Sequence, residues 1–277
     1  MPEGPNLKLG HPEMPFVTGG GTRSGFSRRQ FLKSTGAIGL SAALLGIGLE
    51  RVFAADDLAN LGDLAQHQWT MVFDLRRCDG CRDCIKGCQE MHHLSENQEW
   101  IRVYELEDAA GQGYFMPVLC QMCQEAPCVR VCPVEATYHT PDGGIVIDQD
   151  VCIGCRMCMA ACPYQVRVFN WEDPPAVSEE MMRSDPELQI PQQKGTVGKC
   201  DHCLHELREG RYPACLEWCS MGAIYVGDLM TDVASNSYET VQLSKFLREG
   251  HAWRFKEELG TESRVYYISG WGEDLDY

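Results

Sequence analysis

Residues 152–163 read CIGCRMCMAACP, and the spacing of their cysteines decides the fold. Cys152, Cys155 and Cys158 recur every third residue, so one tight loop can present three thiolates to a compact centre. Cys162 follows on a turn that leads away, and Pro163 comes next. A C-x2-C-x2-C-x3-C-P run is ligand spacing for a [4Fe–4S] cluster, and in two-cluster ferredoxins its fourth cysteine ligates the other cluster. The pattern recurs along the chain. Residues 78–88, CDGCRDCIKGC, hold Cys78, Cys81, Cys84 and Cys88. Residues 120–133, CQMCQEAPCVRVCP, hold Cys120, Cys123, Cys128 and Cys132 in a slightly longer loop. The last group is Cys200, Cys203, Cys215 and Cys219, with Leu204 to Ala214 inserted before its third member. These four quartets consume all 16 cysteines, the ligand count of four [4Fe–4S] clusters.

Other uses of cysteine fit less well. Disulfide scaffolds are usually far smaller, and pairs two residues apart close poor loops. Structural zinc takes C-x-x-C pairs but has no need of the recurring third cysteine. Thioredoxin-like redox chemistry would require a βαβ context that is not visible.

The repeat also has internal order. Cys132 and Cys162 are each followed by proline, whereas Cys88 and Cys219 are followed by Gln89 and Ser220. Groups two and three are also close in sequence. They read as one two-cluster ferredoxin, and groups one and four as a second, split open to admit the first. Cross-ligation then gives four sets. They are Cys120/Cys123/Cys128/Cys162, Cys152/Cys155/Cys158/Cys132, Cys78/Cys81/Cys84/Cys219 and Cys200/Cys203/Cys215/Cys88. The nested pair rests on elimination and on the missing prolines. The expected fold is α+β, with two bacterial-ferredoxin-like modules, one nested in the other.

The motifs CDGCRDCIKGC, CQMCQEAPCVRVCP, CIGCRMCMAACPYQVRVFNW and CDHC…PACLEWC resemble the four-cluster iron–sulfur subunits of complex iron–sulfur molybdoenzymes. That family includes the electron-transfer subunits of polysulfide, tetrathionate and dimethyl sulfoxide reductases. The resemblance covers roughly Trp69 to Asp228, and the tail ELGTESRVYYI looks like the family's closing strand. In some relatives one ligand is replaced and a three-iron cluster results. Here every ligand position is cysteine. The resemblance implies a non-catalytic subunit passing single electrons between a catalytic subunit of molybdopterin type or a relative and an integral membrane quinone-binding subunit. A cytochrome c is a further candidate partner, and a free-standing periplasmic polyferredoxin is the alternative. Neither reading gives the chain a small-molecule substrate of its own.

Ser27-Arg28-Arg29-Gln30-Phe31-Leu32-Lys33 is a twin-arginine export signal, followed by an apolar stretch from Thr35 to Leu49. That stretch is shorter than the roughly 20 residues needed to span a bilayer. Val52-Phe53-Ala54 suits cleavage, with the mature chain starting near Ala55; a retained anchor is the alternative. Clusters are inserted in the cytoplasm and this route exports folded proteins, so signal and clusters explain one another. The expected location is the periplasmic side of the cytoplasmic membrane, held there through partners.

The chain has 277 residues and a net charge of −16. Residues 1–54 hold six basic and three acidic residues, which leaves the remainder at −19. This balance disfavours nucleic acid and anionic lipid. Beside the ligands, Arg76, Arg77, Arg82, Lys86, Arg130, Arg156 and Lys199 are candidates to raise cluster potentials, or simply solvated charges. His92, His93 and His202 sit beside the motifs, but the cysteines already fill every ligand position, so they read as neighbours or surface groups. Met122, Met157 and Met159 are expected to shield the clusters, and Tyr164, Trp171 and Trp218 to pack in the core.

Strands are expected at Trp69–Asp74, Trp100–Glu105, Ile145–Asp148, Arg167–Asn170, Ala223–Gly227 and Val265–Ile268, with short helices near 126–131, 156–161 and 213–218. Pro127 and Pro213 suit first-turn positions. The expected organisation is a signal at 1–54 and a four-cluster domain at 55–230. The inner module covers about 114–171, and the outer one about 67–110 plus 196–230. A packing or docking extension, including a helical stretch within 238–259, completes the chain at 231–277.

Overall fold

The computed structural model describes residues 64–108, 110–177 and 192–270. The export signal expected at 1–54, its cleavage site and part of the loop at 172–198 lie outside the described residues. In chain order the elements are β1 (Trp69–Asp74), α1 (Asp83–Met91), β2 (Arg102–Glu107), β3 (Gly113–Val118), α2 (Pro127–Arg130), β4 (Thr137–His139), β5 (Ile145–Ile147), α3 (Met157–Ala160) and β6 (Val168–Phe169). They continue with β7 (Val197–Gly198), α4 (Leu204–Arg208), α5 (Ala214–Glu217), β8 (Ile224–Asp228), β9 (Val233–Ser235), β10 (Thr240–Gln242), α6 (Leu243–Glu249), a 3-10 turn at Glu257–Leu259 and β11 (Val265–Ile268).

β1 lies inside a five-stranded sheet of order β10-β9-β8-β1-β11. It runs antiparallel to β8, with Trp69 opposite Asp228, and parallel to β11, with Met71 opposite Val265. Successive side chains on a strand point to opposite faces, so one sequence can serve two cores. Met71 and Phe73 join the large core that contains the cysteines. Val72 joins a smaller core with Tyr225, Ala234, Leu243 and Ile268, on which Phe246 and Leu247 of α6 pack. An apolar run without alternation is what a strand buried on both faces requires.

The described part of 231–277 is therefore built into the main sheet through β9, β10 and β11. The helical stretch contracts to α6 and the 3-10 turn, because residues 240–242 pair with β9 instead. β2 pairs along its length with β3, so one hairpin crosses the boundary expected between the outer and inner modules. The strand expected from Trp100 starts at Arg102. Trp100 and Ile101 are instead buried in the cysteine core, where Trp100 packs on His92.

Four short helices each carry at least one cysteine. They pack in pairs, α1 on α5 and α2 on α3. Two devices start them. Before α1 and α3, Arg82 and Arg156 adopt left-handed conformations (φ +65° and +61°). Before α2 and α5, where a longer spacer precedes the third cysteine, a proline sets the entry. Pro127 is the first residue of α2, whereas Pro213 caps α5 from outside the helix.

Candidate metal centres

The first and third loops share a C-x-G-C-R plan. Gly80 and Gly154 have φ of +73° and +66°, each followed two residues on by the left-handed arginine. Such alternation turns successive N–H groups toward one point, a concavity suited to an anion. A Cβ on Gly154 would lie 2.0 Å from the Gly195 carbonyl oxygen, so glycine is required there sterically as well.

The structure brings the thiols into four groups. Cys78, Cys81, Cys84 and Cys219 line one cavity with Phe73, Leu75, Val103, Pro117 and Ile224. Cys132, Cys152, Cys155 and Cys158 line another with Val134, Ala136, Ile147 and Val197. Cys88, Cys200, Cys203 and Cys215 are all buried, and the thiols of Cys215, Cys88 and Cys200 all act electrostatically on Cys203. Cys120, Cys128 and Cys162 act in the same way on Cys123. Each of these groups draws cysteines from two different motifs.

Thiols of different groups also influence one another electrostatically. Cys84 acts on both Cys88 and Cys215, linking the first group to the buried one. Cys120 acts on Cys200, and Cys128 acts on Cys158. These influences link Cys78/81/84/219 to Cys88/200/203/215, that group to Cys120/123/128/162, and the latter to Cys132/152/155/158.

Burial, and then the neighbouring thiols, push the Cys84 thiol up to about 12. Cys88 and Cys215 rise well above their usual value for the same reasons, and Cys203 through burial, then the Asp201 carboxylate, then its neighbouring thiols. Several thiolates cannot share an apolar pocket without cations, so their deprotonation must accompany metal binding. N–H groups are ready to stabilise the anionic sulfur: His202 N lies 3.4 Å from Cys200 Sγ, and Ala223 N lies 3.3 Å from Cys219 Sγ.

Residues 112–185 match the model of the 4Fe-4S dicluster domain family. The Hdr-like menaquinol oxidoreductase iron–sulfur subunit 1 of Archaeoglobus fulgidus is 31% identical, over 89% of this chain and 99% of that protein. The iron–sulfur cluster-binding subunit of a menaquinone reductase from Nitratidesulfovibrio vulgaris is 34% identical, over 73% and 89%. A tetrathionate reductase subunit from Salmonella typhimurium is 31% identical, over 87% and 88%. The chain belongs to the iron–sulfur subunits of the molybdoenzyme family. These subunits transfer electrons within reductase complexes and are not catalytic, and their cofactors are [4Fe–4S] clusters. The cysteines of this iron–sulfur subunit fit that cofactor: four compact thiol groups, apolar walls and amides directed at sulfur.

The cations beside the ligands divide between surface and interior. Arg76 pairs with Asp74 at 2.7 Å, Arg77 with Glu239 at 2.8 Å, Lys86 with Asp83 at 2.8 Å, and Arg130 with Glu125. These cations are engaged at the surface. Lys199 is fully buried, and its Nζ donates to the Cys200 carbonyl at 2.8 Å. A second buried cation, Arg167, escaped sequence reasoning. It opens the strand expected at Arg167–Asn170, where a first-position charge reads as an exposed end; the observed strand starts one residue later.

His92 and His202 are buried, whereas His93 is half-buried. His92 Nε2 lies 3.5 Å from Cys203 Sγ and 3.4 Å from Asp201 Oδ1. These three are close enough to bind a cation together, but Cys203 already belongs to the buried thiol group. His202 Nε2 donates to the Cys120 carbonyl at 2.8 Å, joining two adjacent groups, and burial pushes it down to about 4.

Met122 is buried as expected, but Met157 is 52% exposed. Trp171 and Trp218 are exposed too, contrary to the core packing expected of them. Arg156 stacks on Trp171 and Phe169 at 5.1 Å from each ring, which holds the indole at the surface. Tyr164 is buried, with its hydroxyl 2.5 Å from Thr261 Oγ1.

Proposed function

We propose that the four thiol groups hold one [4Fe–4S] cluster each and relay single electrons in the order of the groups. The Cys78/81/84/219 and Cys88/200/203/215 groups form one ferredoxin-like module, into whose sequence the module of the other two is inserted. One observation supports this reading: sixteen thiols gathered in fours, each group electrostatically linked to the next. Tunnelling falls steeply with distance, so intermediate sites let an electron cross a protein too wide for one step. None of the described side chains is needed as an acid, base or nucleophile.

Each terminal group has an exposed apolar border. Ile153 (63% exposed) lines the cavity of Cys132/152/155/158, near Val151 and Met157 in sequence. Met221 (45% exposed) lines the cavity of Cys78/81/84/219, near Trp218 in sequence. These borders suit two redox partners: a catalytic subunit, molybdopterin-type or related, and a quinone-binding membrane subunit. No helix among the described residues is long and apolar enough to cross a membrane, which is consistent with attachment through a partner. The twin-arginine motif supports export to the periplasmic face. Iron and sulfide analysis with low-temperature spectroscopy tests the relay. Roughly 16 irons and four reducible clusters are expected; zinc, or no metal, would refute it. Co-purification with a membrane subunit tests the partners, and elution as a lone monomer from cells expressing the whole complex would refute them.

A further inference from the structure

We propose that Arg167 is a buried counter-charge shared by the clusters of the Cys120/123/128/162 and Cys132/152/155/158 sets, which form the inserted module, keeping both easier to reduce than their burial alone would allow. The inference rests on the ligand sets just proposed. Arg167 is 3% exposed. Its Nη1 donates to Thr137 Oγ1 at 3.3 Å, while its Nη2 is buried with no hydrogen-bond partner. No carboxylate pairs with it among the described residues. Arg208, by comparison, makes a two-bonded contact with Asp142. An isolated buried guanidinium is costly unless negative charge lies close by.

The available negative charge is sulfur from both of these sets. Burial works against the charged guanidinium, but Cys128, Cys158, Cys120 and Cys162 outweigh it. Three of these belong to one proposed ligand set and Cys158 to the other. The geometry has a repeat logic. Thr137 stands five residues after Cys132, and Arg167 five residues after Cys162. Equivalent positions in the two halves of the inner module thus meet, one supplying the charge and the other a neutral acceptor. Thr137 also lines the cavity of Cys132, Cys152, Cys155 and Cys158.

Adding one electron makes a cluster with its four thiolates one charge more negative. A fixed neighbouring cation stabilises that state more than the oxidised one. Arginine suits the task because its pKa keeps it charged throughout the working range.

The test is an electron paramagnetic resonance titration of the full chain with dithionite as reductant, on wild type, Arg167→Gln and Arg167→Lys. With Gln, two of the four clusters should become about tenfold harder to reduce, a downward shift of about 59 mV for one electron. The other two should keep their potentials. Lys, which retains the charge, should recover most of the shift. Unchanged potentials in Arg167→Gln at full iron content would overturn the proposal, as would an equal shift of all four. Should Arg167→Gln lose iron from the inner module, retention of that iron in Arg167→Lys supports the proposal, and equal loss overturns it. A wild-type chain without four clusters would instead refute the ligand sets, which separates the two failures.

Discussion

Cys88, Cys200, Cys203 and Cys215 are all buried, whereas Cys81 and Cys155, in the two terminal groups, reach the surface. The ligand chemistry is the same in both places, but the surroundings are not. The buried group is enclosed by His92, Asp201 and Lys199, while Ile153 and Met221 border the exposed ends. A conductor needs this inequality: its ends must approach a donor or acceptor, and its middle must exclude water and oxidants. Solvent exposure and hydrogen bonds to sulfur are also levers on potential, so the groups are not electrically equivalent.

The strongest challenge to this contrast is to remove one ligand from each region. Cys203→Ser should prevent recovery of soluble holoprotein, because an incomplete site would lie in the middle of the large core. Cys155→Ser should leave a folded protein with roughly 12 to 15 of 16 irons. Equal losses by metal analysis would abolish the distinction.

The next largest effect lies at the seam between modules. Asp142, fully buried between β4 and β5, accepts from Arg208 of α4 at 2.8 and 3.1 Å and also binds Trp69 N through its carbonyl. Arg208→Met strands that carboxylate, at a cost of roughly 3–5 kcal/mol, and should lower the thermal midpoint; adding Asp142→Asn should restore part of it. Burial raises the Asp142 carboxyl, but Arg208 and Thr140 outweigh it and hold it below the usual carboxylate range. The folded-state value is depressed. The stabilisation is therefore complete above about pH 4 and is lost as pH falls through the lower folded value. Acid titration of wild type against the double variant should show this in the melting temperature.

At the exposed end, Gly154→Ala puts a Cβ against the Gly195 carbonyl in a left-handed conformation, at about 1–3 kcal/mol. Gly195→Ala, also left-handed (φ +85°) but facing open space, should cost about 1 kcal/mol. Equal melting temperatures for the two variants would mean that the loop simply yields. The smallest effect is electrical. His92→Leu removes a hydrogen bond of about 1 kcal/mol to Cys203 Sγ, and should lower the potential of the buried cluster alone by about 40 mV. A change at a terminal cluster instead would show that the groups are not insulated in this way.

The [4Fe–4S] cofactor is legible in the sequence because three ligands of a cubane come from one local loop. Two residues between cysteines leave the chain few ways to present three sulfurs to one point. β1 and β11 were legible as well, since Met71-Val72-Phe73 and Val265-Tyr266-Tyr267-Ile268 are strong strand formers. Their parallel pairing was not, because nothing in either segment encodes a partner nearly two hundred residues away. β3 hides behind Pro117, a residue that normally argues against a strand and is tolerated here in a two-stranded sheet. α1 was missed because its apolar pattern is interrupted by Lys86, Gln89 and Glu90. Lys199 stands out in the sequence as a charge beside a ligand, but its complete burial depends on the tertiary fold. Arg167 was not singled out at all.

The sequence by itself determined the chemistry: sixteen thiols in four quartets at cluster spacing. Only the tertiary structure decided which groups adjoin, which reach solvent and which cations are enclosed with them. The physical reason is range. Ligand geometry is set by bonds and turns within about ten residues, whereas burial and the electrostatic field at a sulfur are sums over everything that folding brings near it.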